Sequence, residues 1–233
     1  MIHKIIDCIY LLYYKSSSKR YIKYLRSKGI VIGGGNHIDP KTSIIDISRP
    51  SLVSIGNNCY MNRNFVLLTH DWVTKVFIES GREFLPSSGR VKIGNNVSFG
   101  QNVIVLKNVV IGDNCFIGAG SIVTKDIPAN SIAVGVPCKV IMSLDDFYDK
   151  RKELCVAEAL EYARSIKERF NRRPVITDFW EEFPLFVNGD RINEYPELAQ
   201  IIKCQCGPSY DDYVRTHKAQ YDSFDAFLEA AGV

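Results

Sequence analysis

The chain has no apolar run long enough to cross a bilayer, which takes about 20 residues. Its most apolar stretch, Ile5 to Tyr14, is short and is broken by Asp7. No cleavage site of small residues follows it, so the sequence lacks the signature of a secretory leader. An excess of one charge is also missing: Lys+Arg 29 against Asp+Glu 26 gives +3. With no basic stripe interleaved with aromatics, nothing points to nucleic acid. Paired cysteine motifs are lacking as well. The seven cysteines are scattered, and Cys204-Gln-Cys206 has neither zinc-knuckle spacing nor a second pair. The thiols read as reduced, and the protein as intracellular and cytoplasmic. Histidine is scarce too: His3, His37, His70 and His217 are the full set.

What the chain does have is a repeat of six. Ile93, Phe99, Val105, Ile111, Ile117 and Val123 keep that step without a slip, and Gly94, Gly100, Gly112 and Gly118 follow four of them. Four residues after each comes Val97, Val103, Val109, Cys115, Ser121 and Ile127. A period of six is neither helical nor a simple strand alternation. It is the pattern of a parallel β-helix of hexapeptides, with aliphatic side chains pointing into a narrow coil and Gly or Asn at its corners. The register begins at Ile32, Ile38 and Ile44, is interrupted near Ser48-Arg49-Pro50, and resumes at Ile55, Met61 and Leu67. It breaks at His70 and restarts at Ile93. Residues 71–90 read as a loop thrown out from one corner, and a loop of that length in a regular solenoid is usually functional.

The chain divides into three regions. Residues 1–30 form an N-terminal helical cap, with Ile2, Ile5, Ile6, Ile9, Leu12 and Tyr13 on one face and a second short helix around Tyr21–Leu25, ended by Gly29. This cap covers the open end of the solenoid. Its apolar face and basic residues also leave room for contact with an anionic membrane surface. Residues 31–143 are the β-helix with the excursion 71–90, leaving through an extended strand over Ala133–Ile141. Residues 144–233 read as a small α-helical C-terminal region, with a long helix to Phe170 and a last helix over Tyr221–Ala231.

The run from Val91 to Pro128, the exit Gly135-Val-Pro-Cys-Lys-Val-Ile141, and Leu68-Thr-His-Asp71 before an excursion resemble the hexapeptide-repeat acyltransferases. Within them the chain is similar to the galactoside, maltose and xenobiotic acetyltransferase group, most of all to O-acetyltransferases of capsule and exopolysaccharide synthesis. The resemblance covers roughly Ile32 to Phe147. Asp178–Phe186 and Ser223–Gly232 look like the capsule-type subset more weakly. The resemblance implies a mainly β fold, a left-handed parallel β-helix of hexapeptide repeats. It also implies a homotrimer with active sites at subunit interfaces, acetyl-CoA as co-substrate with no metal, and a carbohydrate acceptor.

It implies site residues as well. His70 matches the family's catalytic histidine, and it alone of the four sits where repeat meets loop. Histidine is suited to general-base work because its side chain titrates near neutral pH. The expected chemistry is direct transfer, with the imidazole taking the acceptor proton as oxygen attacks the acetyl carbonyl. Asp71 and Trp72 are placed on the acceptor side, Asp71 either as an acceptor contact or as a loop cap. A direct His70–Asp71 pair is awkward, because neighbours on extended chain point opposite ways. Gln101 and Ala119 match positions whose main chain holds the pantetheine arm, with an N–H near Gln101 for the oxyanion. Thr124 and Lys125 match the pair that meets the nucleotide 3′-phosphate, and Lys139 a basic position of the exit motif. Many relatives carry tryptophan where this chain has Ser98, which implies a roomier pocket partly refilled by Trp72 or Phe84.

O-acetylation of a sugar or polysaccharide precursor is the leading reading. N-acetylation of an amino sugar uses the same fold, donor and base. A zinc site of the carbonic-anhydrase type needs three histidines, and only His37 and His70 lie in the repeats. A scaffold that has lost its chemistry is the non-enzymatic alternative.

Overall fold

A computed structural model describes residues 13–233. The expected helical face through Leu12 lies outside the described residues. Helix α1 (Ser18–Ser27) opens on Ser17, whose hydroxyl accepts from Arg20 N–H, a standard N-cap. Its apolar face, Tyr21, Ile22 and Leu25, is buried in the same core as the repeats. The hydroxyl of Ser18 accepts from Ile38 N–H at 2.9 Å, and Arg26 donates to Ile32 C=O at 3.0 Å. The helix thus closes the first coil as a cap, and its apolar face is not available to a membrane.

The repeats form three parallel faces. Face one is β1 (Val31–Ile32), β4 (Val53–Ile55), β7 (Val91–Ile93) and β10 (Val109–Ile111). Face two holds β2 (His37–Ile38), β5 (Tyr60–Met61), β8 (Ser98–Phe99), β11 (Phe116–Ile117), β13 (Ser131–Val134) and β14 (Lys139–Ser143). Face three is β3 (Ile44–Ile45), β6 (Val66–Leu67), β9 (Ile104–Val105) and β12 (Ile122–Val123). Successive coils stack in register, so that Ile93 pairs with Ile111 and Phe99 with Ile117. The fold is a parallel β-helix with helices before and after it among the described residues.

Both residues of each hexapeptide pair point inward. Val97, Phe99, Val103, Val105, Ile117 and Val123 are fully buried. The corners are built from asparagine: Asn58, Asn64, Asn96, Asn102, Asn108, Asn114 and Asn130 all have φ between 54° and 61°. Asparagine tolerates this left-handed region better than other residues with a Cβ. The side chains also form ladders, Asn96 to Asn114 at 3.0 Å and Asn114 to Asn130 at 2.9 Å. Glycine is required where coils nearly touch. A Cβ on Gly100 would lie 2.5 Å from Ala119 N and 2.7 Å from its Cα.

The structure departs from the sequence reading at three places. In the first coil Ile44 is 57% exposed and Ile45 is the buried residue. The corner before it, 39–43, holds one residue more than the corner 62–65 of the next coil, folded over Asp39, whose carboxylate accepts from Thr42 N–H at 2.9 Å. That extra residue moves the whole strand by one and turns Ile44 outward. Second, the excursion carries helix α2 (Val73–Glu79), which seven residues with no periodic apolar face do not announce. Third, the exit is two antiparallel strands, β13 and β14, rather than one. They are joined through Gly135, at φ 103°, and the Val136–Pro137 bond.

The chain divides into two compact units, one ending at Tyr148 and one spanning Asp149–Val233. Helix α3 (Leu144–Phe170) begins in the first and runs into the second. The second unit adds α4 (Pro196–Cys206), α5 (Tyr210–Thr216) and α6 (Phe224–Ala231) around a core of Phe179, Phe183, Ile192, Phe227 and Leu228. No helix of the described residues is long and apolar enough to cross a membrane.

Candidate active site

The site grows from one corner of the β-helix, the turn that leads from face three back to face one. The regular version of this turn, 106–108 between β9 and β10, is three residues long. In the first coil it is lengthened to 46–52, around Ser48-Arg49-Pro50, and in the second by the whole excursion. Both interruptions of the repeat therefore open at the same corner of consecutive coils. Strands β3 and β6 pair Ile45 with Leu67, and Asp46 N–H donates to Leu67 C=O at 3.0 Å. Asp46 thus enters the corner directly beneath the segment that carries His70.

The carboxylate of Asp46 is buried, with 6% of its side chain exposed. Its Oδ1 accepts from Ser48 N–H at 2.9 Å and from the Ser48 hydroxyl at 2.7 Å. Its Oδ2 accepts from Thr69 N–H at 3.1 Å and from the Thr69 hydroxyl, and lies 2.7 Å from His70 Nδ1. Burial alone would push this carboxyl up. The hydrogen bonds from Ser48, Thr69 and His70 outweigh it and hold Asp46 well below the usual carboxylate range. An ionised carboxylate at that distance assigns the proton of the imidazole to Nδ1. Nε2 is left with the lone pair, the tautomer a general base requires.

His70 opens into a cavity of about 400 Å³ with Ser48, Arg49, Trp72, Phe84 and Ser87 among its walls. Trp72 and Phe84 stand 76% and 66% exposed on the excursion, and the Trp72 ring lies 6.3 Å from the imidazole. Asp71 does not pair with His70. Its carboxylate takes Lys107 Nζ at 2.5 Å, the Ser87 hydroxyl at 2.7 Å and Val73 N–H at 3.1 Å. Lys107 first, then Ser87 and Val73, hold the exposed Asp71 carboxyl at about 2. Lys107 thus ties Asp71 to the coil above, while Ser87 to Asp71 and Gly89 N–H to Thr69 C=O at 2.8 Å join the two ends of the excursion to each other.

The other expected residues fall in two places. Thr124 and Lys125 lie at the same corner as His70, above Leu106 and Lys107 of the coil below. Both are exposed, and among the described residues neither side chain makes a hydrogen bond or ion pair. Gln101 and Ala119 sit at the preceding corner, between faces two and three, where Gly120 N–H donates to Gln101 C=O at 2.8 Å. Lys139 is exposed at the start of β14. Within one chain, face three separates Gln101 and Ala119 from His70. Its outer surface carries Ile44, Val66, Ile104 and Ile122 in one stacked row. Ser98 lies on face two between Tyr60 and Phe116, so it does not wall the His70 cavity; Trp72 and Phe84 do. His37 stacks on Tyr60 at 4.5 Å on that face, away from His70.

Asp46 was invisible to the motif reading, and so were the roles of Arg49 and Lys107. The signal for Asp46 was the Asp-x-Ser turn immediately after an inward isoleucine, legible only once the coils are stacked.

Residues 90–125 match the family model "Bacterial transferase hexapeptide (six repeats)". The match lies within the regular coils of the β-helix. Galactoside O-acetyltransferase of Escherichia coli (strain K12) is 45% identical over 95 residues, covering 40% of this chain and 45% of that protein. A Staphylococcus aureus (strain MRSA252) protein, named only provisionally as an acetyltransferase, is 42% identical over 112 residues, covering 40% of this chain and 56% of its own length. The chain thus spans about half the length of the curated relatives it matches. Among solved structures, a galactoside acetyltransferase in complex with coenzyme A is 29% identical, covering 63% of this chain and 82% of the other with a TM-score of 0.44.

Proposed function

We propose that this protein is an acetyl-CoA-dependent O-acetyltransferase that acts on a sugar or polysaccharide precursor, with His70 as the general base. The observation that carries the reading is the Asp46–His70 pair at 2.7 Å, opening into a cavity walled by exposed aromatics. Asp46 fixes the tautomer and stabilises the imidazolium that forms when Nε2 takes the acceptor proton. The acceptor oxygen then bonds to the acetyl carbon as the thioester C–S bond breaks. The proton held on Nε2 passes to the departing thiolate, so no acyl-enzyme is needed. The exposed Trp72 and Phe84 offer apolar faces to a pyranose ring, while Asp71 anchors the excursion.

The donor fits the remaining residues. Thr124 and Lys125, exposed and without side-chain partners among the described residues, suit a phosphate, and Lys139 adds a further cation. The relatives' names support the activity. The aliphatic row on face three supports packing against a second copy. It lies between the corner of Gln101 and Ala119 and the corner of His70, so a neighbour docked there would bring one copy's pantetheine contacts beside another's base. A homotrimer closes such a ring.

The test is acceptor-dependent release of free CoA thiol from acetyl-CoA across a panel of sugars. His70→Ala is expected to lower turnover by roughly 10²–10⁴. Normal turnover in that variant removes His70 from the mechanism.

A further inference from the structure

In the break of the repeat at Ser48-Arg49-Pro50, Ser48 holds the Asp46 carboxylate; Arg49 has no part in the chemistry above, yet it lines the same cavity. Arg49 is half-buried there. Its backbone is pinned: Pro50 opens a short 3-10 turn to Leu52, and Leu52 N–H returns to Arg49 C=O at 3.0 Å. The guanidinium has one side-chain bond among the described residues, from Nη1 to Ser48 Oγ at 3.1 Å. No carboxylate of the described residues forms an ion pair with it. The nearest acidic group along the chain, Asp46, is filled by donors from Ser48, Thr69 and His70. Asp71, the acid that lines the cavity, is paired with Lys107.

Arg49 and His70 are therefore joined by a short relay, guanidinium to Ser48 to Asp46 to imidazole, and both face one cavity. A planar fork held beside a base, with its remaining donors open, matches a carboxylate or phosphate rather than a hydroxyl. On the basis of the acetyl transfer proposed above, we infer that the acceptor is an anionic sugar. Its carboxylate or phosphate sits on Arg49, its ring lies against Trp72, and its reacting hydroxyl reaches His70 Nε2. The shared chemistry is an anionic group on a pyranose; a uronic acid and a sugar phosphate are its two sources.

Binding is measured directly, so that the result does not depend on turnover. Three oligosaccharides of equal length are titrated into the full chain by calorimetry: neutral, uronic-acid-containing and phosphorylated. Arg49→Gln and Arg49→Lys are titrated alongside, with folding checked by circular dichroism. An anionic sugar is expected to bind about 10- to 100-fold more tightly than the neutral one, the range of a charge-assisted hydrogen bond. Arg49→Gln should erase that preference and leave neutral-sugar binding unchanged, and Arg49→Lys should keep part of it. In turnover, the loss should fall on KM for the anionic acceptor while kcat holds. The uronate and phosphate arms say which anion is taken. Equal binding of all three sugars, no binding of either anionic sugar, or an Arg49→Gln variant that keeps the preference overturns the inference. Tight binding of a neutral sugar with His70-dependent transfer would overturn it while leaving the proposed activity standing.

Discussion

Replacing Asp46 with asparagine keeps the shape of the side chain and removes its charge. Every group facing this carboxylate is a donor or is set as one: two backbone N–H groups, two hydroxyls and His70 Nδ1–H. Asparagine has one acceptor oxygen and an NH2 that must face the other side. Hydroxyls can rotate to accept, but an N–H cannot. If the NH2 faces Ser48, that residue's N–H is orphaned. If it faces Thr69 and His70, the Thr69 N–H is orphaned and the ring must present Nδ1 as acceptor. The proton then moves to Nε2, where the lone pair was needed. One buried donor left unmet costs about 1–3 kcal/mol, which lowers Tm by a few degrees in a chain of this size. The loss in kcat is expected at roughly 10²–10⁴, the range for a general base deprived of its tautomer. The assay is thiol release with a productive acceptor, set beside thermal unfolding. An Asp46→Asn variant with normal kcat, against an inactive His70→Ala, would refute the dyad. The pH dependence adds a sign. The folded carboxyl lies below its unfolded value, so its contribution is fully present above the unfolded pKa of about 3.9. It is lost as pH falls through the folded value. The stability gap between the parent chain and Asp46→Asn should be flat from about pH 5 upward and narrow in acid.

Two further outcomes test the donor site and the assembly. Lys125→Glu places a negative charge where an exposed lysine stands beside Thr124, and CoA affinity should fall about tenfold or more by calorimetry; unchanged affinity removes Lys125 from the donor site. Ile104→Glu puts a charge in the middle of the aliphatic row on face three, and light scattering should report a smaller assembly than the parent chain. An unaltered mass would remove this row from the proposed subunit contact.

The repeat was legible because its physics is local and recurrent. Each coil needs inward aliphatics at fixed steps and asparagine at its corners, so Ile93 to Ile127 could be read one hexapeptide at a time. The first coil slipped by one residue at Ile44 because a single extra residue at the Asp39–Ser43 corner leaves the composition of the strand unchanged. The exit was misread for a similar reason. Both Ser131–Val134 and Lys139–Ser143 are good strand sequences, and the reversal between them turns on Gly135 to Pro137. The short helix Val73–Glu79 has no buried residue, so no apolar period marked it.

The candidate site divides along the same line. His70 stood out because it sits where a regular pattern stops. Asp46 and Arg49 did not, although they lie beside an earlier and smaller stop, because their meaning depends on which coil lies above which. A β-helix converts distance along the chain into adjacency across a coil, so two interruptions more than twenty residues apart become one wall. The inserted Ser48-Arg49-Pro50 and the excursion at His70 belong to one corner, where Asp46, just before the first, meets the His70 imidazole and Arg49 lines the same cavity. Interruptions of such a repeat are therefore best compared corner by corner. A break that recurs at one corner in successive coils places residues far apart in the chain around one cavity, as Arg49 and His70 are here.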